Sequence, residues 1–326
     1  MTAEASAPTA REGARAYLLR HRSNLPIIAI FLLVLIGFSL TTDRFFTVVN
    51  IANVLRQGSP LVIMAVGATF VLVAAGIDLS IGAVVSITGV TIALVLKVAP
   101  GYAGLAFAFG LAVVIGSFNG FLIAYQRLPS FIVTLGTLSV LTGVSQLLAR
   151  GLSIAIDTDP WLIGFGQGRV GIVPVPVLIA LLVAVVGWVL LFRTPYGLRV
   201  RGIGSNEESV RRSGVPVNLL VASVYVVSTV TAALGGVVVA MRLQSGNSTA
   251  GTGLELQAIA AVVLGGTSLF GGKGSVIGSV LGVYTLGFIE NGLILNHVDV
   301  FYVRIIQGAI LLAALWANTK VFARLK

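Results

Sequence analysis

Residues 174–193 read PVPVLIALLVAVVGWVLLFR, and their one charge is the final arginine. A helix crossing a bilayer needs about 20 consecutive apolar residues, and this stretch supplies them without interruption. Working outward, nine further segments predict spans: 26–42, 60–77, 78–97, 101–125, 128–150, 217–242, 254–271, 275–295 and 302–318. The expected fold is therefore an all-α polytopic membrane protein of about ten transmembrane helices. Bulk composition agrees: 57% of the 326 residues are hydrophobic, 10% are charged, and the mean hydropathy is +1.03. A soluble domain carries roughly 25% charge. A soluble enzyme, a disordered chain and a nucleic-acid binder are all excluded. The net charge of +10 belongs to loops facing the cytoplasm rather than to a nucleic-acid surface.

Cations also set the direction. Residues 1–25 carry Arg11, Arg15, Arg20 and Arg22 ahead of the apolar stretch 26–40, the layout of a signal peptide. No small-residue cleavage site follows Leu40, so the stretch is read as a retained first span with a cytoplasmic amino end. Lys and Arg then fall inside over outside by about two to one, with Arg193, Arg199, Arg201, Arg211 and Arg212 on the longest inner loop. The chain divides into a cytoplasmic tail (1–25), a membrane domain (26–318) and a second cytoplasmic tail (319–326). Two polar connections interrupt the domain. Loop 151–173, with Asp157, Asp159, Pro160, Trp161 and Gln167, lies outside, and loop 194–216 lies inside. The chain has no cysteine, and its two histidines, His21 and His297, lack metal-ligand spacing.

Glycine, at 39 residues, sits within spans as well as between them. Segments 116–120 (GSFNG) and 278–282 (GSVLG) have the small-xxx-small spacing that lets helix backbones approach. Packing within the chain is favoured for both over a dimer contact. Residues 72–90 (LVAAGIDLSIGAVVSITGV) and 264–282 (LGGTSLFGGKGSVIGSVLG) echo one another as two helix breaks. Gly76, Asp78 and Gly82 mark the first break; Gly265, Gly266, Gly271 and Gly272 mark the second. Paired glycine-interrupted segments point to a transport pathway, and compositional likeness of small-residue spans explains them equally well.

The inner loop holds the sharpest local signal. Ser205-Asn206-Glu207-Glu208 fits a capping box with Ser205 as N-cap. Glu207 and Glu208 stand four residues before Arg211 and Arg212, the favourable order for ion pairs. Gly214 suits a left-handed C′ position and Pro216 bars continuation. A two-turn helix over 205–213 is expected, too short to be stable alone. A partner surface would hold it; a solvated connector is the competing reading.

These residues also resemble a family. Residues 204–215 (GSNEESVRRSGV) are similar to the coupling segment of permease subunits in ribose-type ATP-driven sugar importers. So are 76–82 (GIDLSIG), 128–137 (LPSFIVTLGT) and 264–275 (LGGTSLFGGKGS), in the expected order from about residue 45 to 318. One departure is Ser209-Val210, where the family has two alanines. The resemblance implies alternating access in a bacterial cytoplasmic (inner) membrane, by two permease copies, identical or related. A separate ATPase subunit would hold ATP and Mg and dock on Ser205, Asn206, Glu207, Glu208, Arg211, Arg212 and Gly214. An external solute-binding protein would deliver the sugar. This chain would bind no cofactor: residues 267–274 lack the opening Gly and closing Ser/Thr of a phosphate loop.

Intramembrane charge is costly and marks function. Asp78 is expected to N-cap the third span, and Glu255 to favour the first turn of the eighth. Glu290, beside Asn291, requires a polar partner or cavity. For an uncharged sugar, the polar and aromatic groups within spans are Asn119, Phe131, Thr134, Gln257 and Asn291, each competing with a role as interhelical glue. A secondary transporter driven by an ion gradient is the rival reading, and the shortage of aligned intramembrane acids argues against it.

Overall fold

The structure is a computed structural model that describes residues 25–156 and 159–323. Arg11, Arg15, Arg20, Arg22, Asp157, Arg324 and Lys326 lie outside the described residues, as does nearly all of the proposed amino-terminal tail. The described chain is mostly helical. Its helices are α1 (Leu25–Ser39), α2 (Val48–Val73), α3 (Ile81–Val95), α4 (Gly101–Ala124), α5 (Ser130–Ala149) and α6 (Pro160–Gln167). They continue with α7 (Val175–Arg193), α8 (Pro195–Arg212), α9 (Val217–Leu243), α10 (Leu254–Leu264), α11 (Val276–Leu295) and α12 (Val300–Ala323). Four two-residue strands form two small antiparallel pairs. The strand Ile154–Ala155 (β1) pairs with Ser245–Gly246 (β4), and Arg169–Val170 (β2) with Val173–Pro174 (β3).

Six helices are long and apolar enough to cross a bilayer: α2, α4, α5, α7, α9 and α11. Their burial sorts them into layers. In α2 and α9, 72% of the most apolar window is buried, against 17% in α5 and 22% in α7. A helix that is apolar all round and buried belongs to the protein core; one that is apolar and uncovered belongs against lipid. Helix α9 is the hub, packed on α2, α3 and α4. The main core joins Val62, Ile63, Met64 and Leu72 of α2 to Val84 and Val85 of α3, Val238 of α9 and Val262 of α10.

Close backbone approach explains the small residues in α4. A Cβ added to Gly120 would stand 2.7 Å from Ala222 Cα, and one on Gly116 2.6 Å from Val226 Cα, both on α9. The 116–120 spacing is thus consumed inside this chain, and the 278–282 spacing likewise brings α11 onto α10 at Gly265 and Ala261.

Three predicted spans have different bounds. The segment expected at 60–77 begins at Val48, because Thr47 caps the helix by accepting the Asn50 amide, 3.3 Å. Its polar start (Asn50, Asn53, Arg56, Gln57) and Pro60 disguise the first three turns as loop. The span expected at 78–97 is a 15-residue helix, Ile81–Val95. The span expected at 254–271 is an 11-residue helix, Leu254–Leu264, about 16 Å long and too short to cross alone. The chain before it packs alongside without forming a helix. Gln244 turns left-handed at the end of α9, and residues 245–253 then run along α3. Gly246 approaches Gly89, Gly251 approaches Gly82, and the Gly251 amide donates to Ser86 Oγ at 2.9 Å. Non-helical backbone at membrane depth is tolerated where protein or a cavity satisfies it.

Candidate functional site

The loop expected at 194–216 is a helix with a break. Thr194 accepts the Gly197 amide at 3.3 Å and Pro195 opens the first turn of α8. This first half of α8 continues to Ser205. Asn206 then leaves helical geometry at φ −160° and ψ 94° and accepts the Ser209 amide on Oδ1 at 2.9 Å. Asn206 is therefore the N-cap of the second half, correcting the assignment to Ser205. Ser205 Oγ donates instead to the Arg201 carbonyl at 3.0 Å, which closes the preceding helix. With the cap one residue later, position N3 is Ser209, so the expected capping box with Glu208 does not form. The two ion pairs do form, Glu207 with Arg211 and Glu208 with Arg212, the latter at 2.9 Å. Arg211 also donates to Asn218 Oδ1 of α9 at 3.1 Å. Gly214 is left-handed at φ +77° and its amide donates to the Arg211 carbonyl, ending the helix. Tyr196, at the start of α8, shares a hydrogen bond with Ser223 of α9 at 2.9 Å, and burial pushes its phenol above the usual range.

The break in α8 is wedged against both glycine breaks. Gly204 packs on the Val73 carbonyl and the Gly272 amide, leaving no room for a Cβ. Gly272 in turn donates its amide to Val73 O at 2.9 Å, and Gly271 lies against Ala75. The two echoing segments, each a helix–break–helix, thus touch one another directly, with the inner helix on the same junction.

Asp78 does not cap α3 as expected. That helix starts after Ser80, which makes no side-chain cap. Asp78 Oδ1 instead accepts the Ser80 amide at 3.0 Å and the Ser80 hydroxyl at 2.6 Å. Donors then line up toward it: Thr137 Oγ1 donates to Asn119 Oδ1 (2.6 Å) and Asn119 Nδ2 to Ser80 Oγ (3.1 Å). Thr134 Oγ1 donates to Ile77 O at 3.3 Å, and the Ile77 amide to Ser130 Oγ at 3.2 Å. The break 74–80 is thereby pinned to α4 and α5 in a buried network. Asn119 and Thr134 sit in that network, each fully buried, and Phe131 points outward at 49% exposure.

A cavity of about 990 Å³ opens among α2, α9, α10, α11 and α12. Gln57, Arg242, Gln257, Glu290, Arg304 and Gln307 give it polar walls, and residues 250–253 give it a stretch of non-helical backbone. Gln307 Nε2 donates to Glu290 Oε2 at 3.0 Å across its side. Asn291 borders it too, exchanging two hydrogen bonds with Asn50 of α2 at 2.8 and 2.9 Å. Of the five sequence-derived solute candidates, Gln257 and Asn291 line this cavity and the other three do not. Glu290 has the polar partner and the cavity its position demands. Glu255 stands in the first turn of α10 with its carboxylate over Gly82. Sequence reasoning passed over Gln57, Arg242, Arg304 and Gln307. The i, i+3 spacing of Arg304 and Gln307 on one apolar helix was the available signal. Among the described residues no group of three or more His, Cys, Asp or Glu side chains gathers to hold a metal.

The family model described as "Branched-chain amino acid transport system / permease component" matches residues 50–315. The chain is 38% identical over 310 residues to the ribose import permease protein RbsC of Escherichia coli (strain K12), covering 94% of this chain and 95% of that protein. It is 38% identical to RbsC of Bacillus subtilis (strain 168), covering 90% and 92%. It is 35% identical to the D-allose transport system permease protein AlsC of Escherichia coli (strain K12), covering 87% of each. No solved structure matches it. The chain therefore belongs to the branched-chain amino acid transport system / permease component family, and it is a multi-pass membrane permease subunit rather than an enzyme.

Proposed function

We propose that this chain is the transmembrane subunit of an ATP-driven importer that carries a small sugar or related polar solute across the bacterial cytoplasmic membrane by alternating access. The printed names of its relatives support a sugar: ribose, allose and, at 30% identity, xylose. ATP and Mg are held by a partner ATPase of the ATP-binding-cassette class, an external solute-binding protein delivers the sugar, and a second permease copy completes the path. The permease domain is 26–318, with the tails 1–25 and 319–326 in the cytoplasm. The chain makes about ten passes: six by the long helices, the remainder by α1, α3, α12 and α10 with the turns before it. The cavity among α2 and α9–α12 is the solute path. Its walls are mostly aliphatic, set with amide, carboxylate and guanidinium groups and, among the described residues, with no aromatic side chain, which suits transient passage of a hydroxyl-rich solute better than tight capture.

One observation carries this reading. The second half of α8 projects its residues outward, is held by its own ion pairs, and is rooted in the junction of Gly204, Gly272 and Val73. A projecting lever seated on two helix breaks is the part an ATPase can push. The test is Arg211→Glu with Arg212→Glu in the full complex. The ATPase should copurify poorly or uptake should fall, with membrane insertion unchanged. Normal uptake by that double variant overturns the coupling role.

A further inference from the structure

The junction of α7 and α8 carries arginines that the coupling helix does not use. Arg193 ends α7, and its guanidinium lies 5.1 Å from the centre of the Trp188 ring. Arg201 of α8 lies 5.1 Å from the Phe192 ring and donates Nε to Gly197 O at 3.3 Å. Trp188 and Phe192 are four residues apart on α7, so they share one face and hold the two cations one turn apart. Arg199 is exposed too, but it stands two positions from Arg201 and so on another side of α8. Among the described residues no carboxylate comes within ion-pair distance of Arg193, Arg199 or Arg201. The two nearby acids, Glu207 and Glu208, are engaged by Arg211 and Arg212.

The surroundings of this cation cluster are apolar. Below it, α7 exposes Val185, Val186, Val189 and Leu190. On α8, Pro195, Leu198 and Arg199 are exposed at i, i+3 and i+4, with Leu198 at 64% exposure. An aliphatic wall rising to a ring-backed set of arginines, with an exposed leucine at the same level, has the chemistry of a membrane–water boundary. Basic pockets there bind acidic headgroups.

We propose that Arg193 and Arg201 bind the phosphate of an anionic phospholipid whose acyl chains lie along the uncovered face of α7. The guanidiniums supply charge-assisted hydrogen bonds to the phosphate oxygens, and Trp188 and Phe192 hold both guanidiniums in place by cation–π contact. The site stands one break away from the coupling helix. It does not depend on the identity of the transported solute.

The test titrates the purified full chain in mild detergent with phosphatidylglycerol or phosphatidylcholine of the same acyl chains, counting bound lipid by native mass spectrometry. The chain should retain phosphatidylglycerol in preference. That preference should fall by roughly fivefold for each of Arg193→Gln and Arg201→Gln, from the typical attraction of one cation to an anionic surface. Arg169→Gln, an exposed arginine elsewhere, should leave it unchanged, and thermal unfolding should show that the variants are folded. Equal retention of both lipids by the native chain overturns the proposal. So does displacement of the lipid by inorganic phosphate alone, which assigns the arginines to free phosphate. An undiminished preference in the double variant overturns it too, and if that variant no longer copurifies with the ATPase, the pair is assigned to the ATPase interface.

Discussion

Replacing Asn206 by Ala removes the cap of the second half of α8 and nothing else of size. Its side-chain oxygen accepts the Ser209 amide at 2.9 Å, and loss of such a cap costs about 1 kcal/mol. The other local supports are two exposed i, i+4 ion pairs, each worth about 0.3–0.5 kcal/mol. The cap therefore equals or exceeds both pairs together. About 1 kcal/mol shifts the balance between wound and unwound forms roughly fivefold. Amide exchange over 209–213 should accelerate by about that factor in Asn206→Ala, and coupled uptake should fall while the ATPase still hydrolyses ATP. Asn206→Asp, an equally good cap, should restore slow exchange. Ser205→Ala should change little, because that hydroxyl only bonds back to Arg201 within the preceding helix. Exchange accelerated by Ser205→Ala and untouched by Asn206→Ala would refute the placement of the cap and the reasoning built on it.

Two further outcomes follow from packing and hydrogen bonding in the membrane domain. Gly120→Val should lower the thermal midpoint of the detergent-solubilised protein by the equivalent of about 1–3 kcal/mol or more, because the added carbons meet the α9 backbone. Gly110→Val in the same helix, where a Cβ meets nothing within 4 Å, should be close to silent in the same melt. Asn291→Leu should cost about 1–3 kcal/mol by taking the donor from Asn50 Oδ1, and the double change Asn50→Leu with Asn291→Leu, which also frees the Phe45 carbonyl, should cost less than the sum of the two single changes. Additive losses in a double-mutant cycle would count against the pairing.

Long apolar runs made the membrane architecture legible, since hydropathy and length respond to the bilayer rather than to tertiary detail. What sequence could not show was where a traverse stops being helical. Leu254 to Gly271 is mostly apolar, yet its helix ends at Leu264 and the rest is turns, while the residues packed before it have an Asn, Ser, Thr and Gly content that reads as an outer loop. The start of α2 was hidden for the converse reason. Asn50 and Gln57 look like loop residues until Asn291 and Arg242 appear opposite them, some 185 to 241 positions away in the chain. The cap error was local. Ser205 and Asn206 are comparable N-caps, and the choice between them is made by Gly204, whose contact with Val73 keeps Ser205 in the preceding helix. The cavity was legible in Gln257, Glu290 and Asn291; of its other polar walls, Arg242 and Arg304 read as outer cations, Gln57 as loop and Gln307 as one polar residue in an apolar span.

The run of turns beside α3 changes what mutagenesis can reveal. It brings Ala250, Thr252 and Gly253 to the cavity from outside the helices, with the Ala250 and Thr252 amides held by the Asn247 and Thr249 carbonyls. Amide and carbonyl groups of this kind survive every side-chain substitution, so an alanine scan would report that wall as inert. Its polarity is written in the path of the chain rather than in the identity of any residue, and only changes that alter the path, such as a proline or a deletion between Leu243 and Leu254, would remove it.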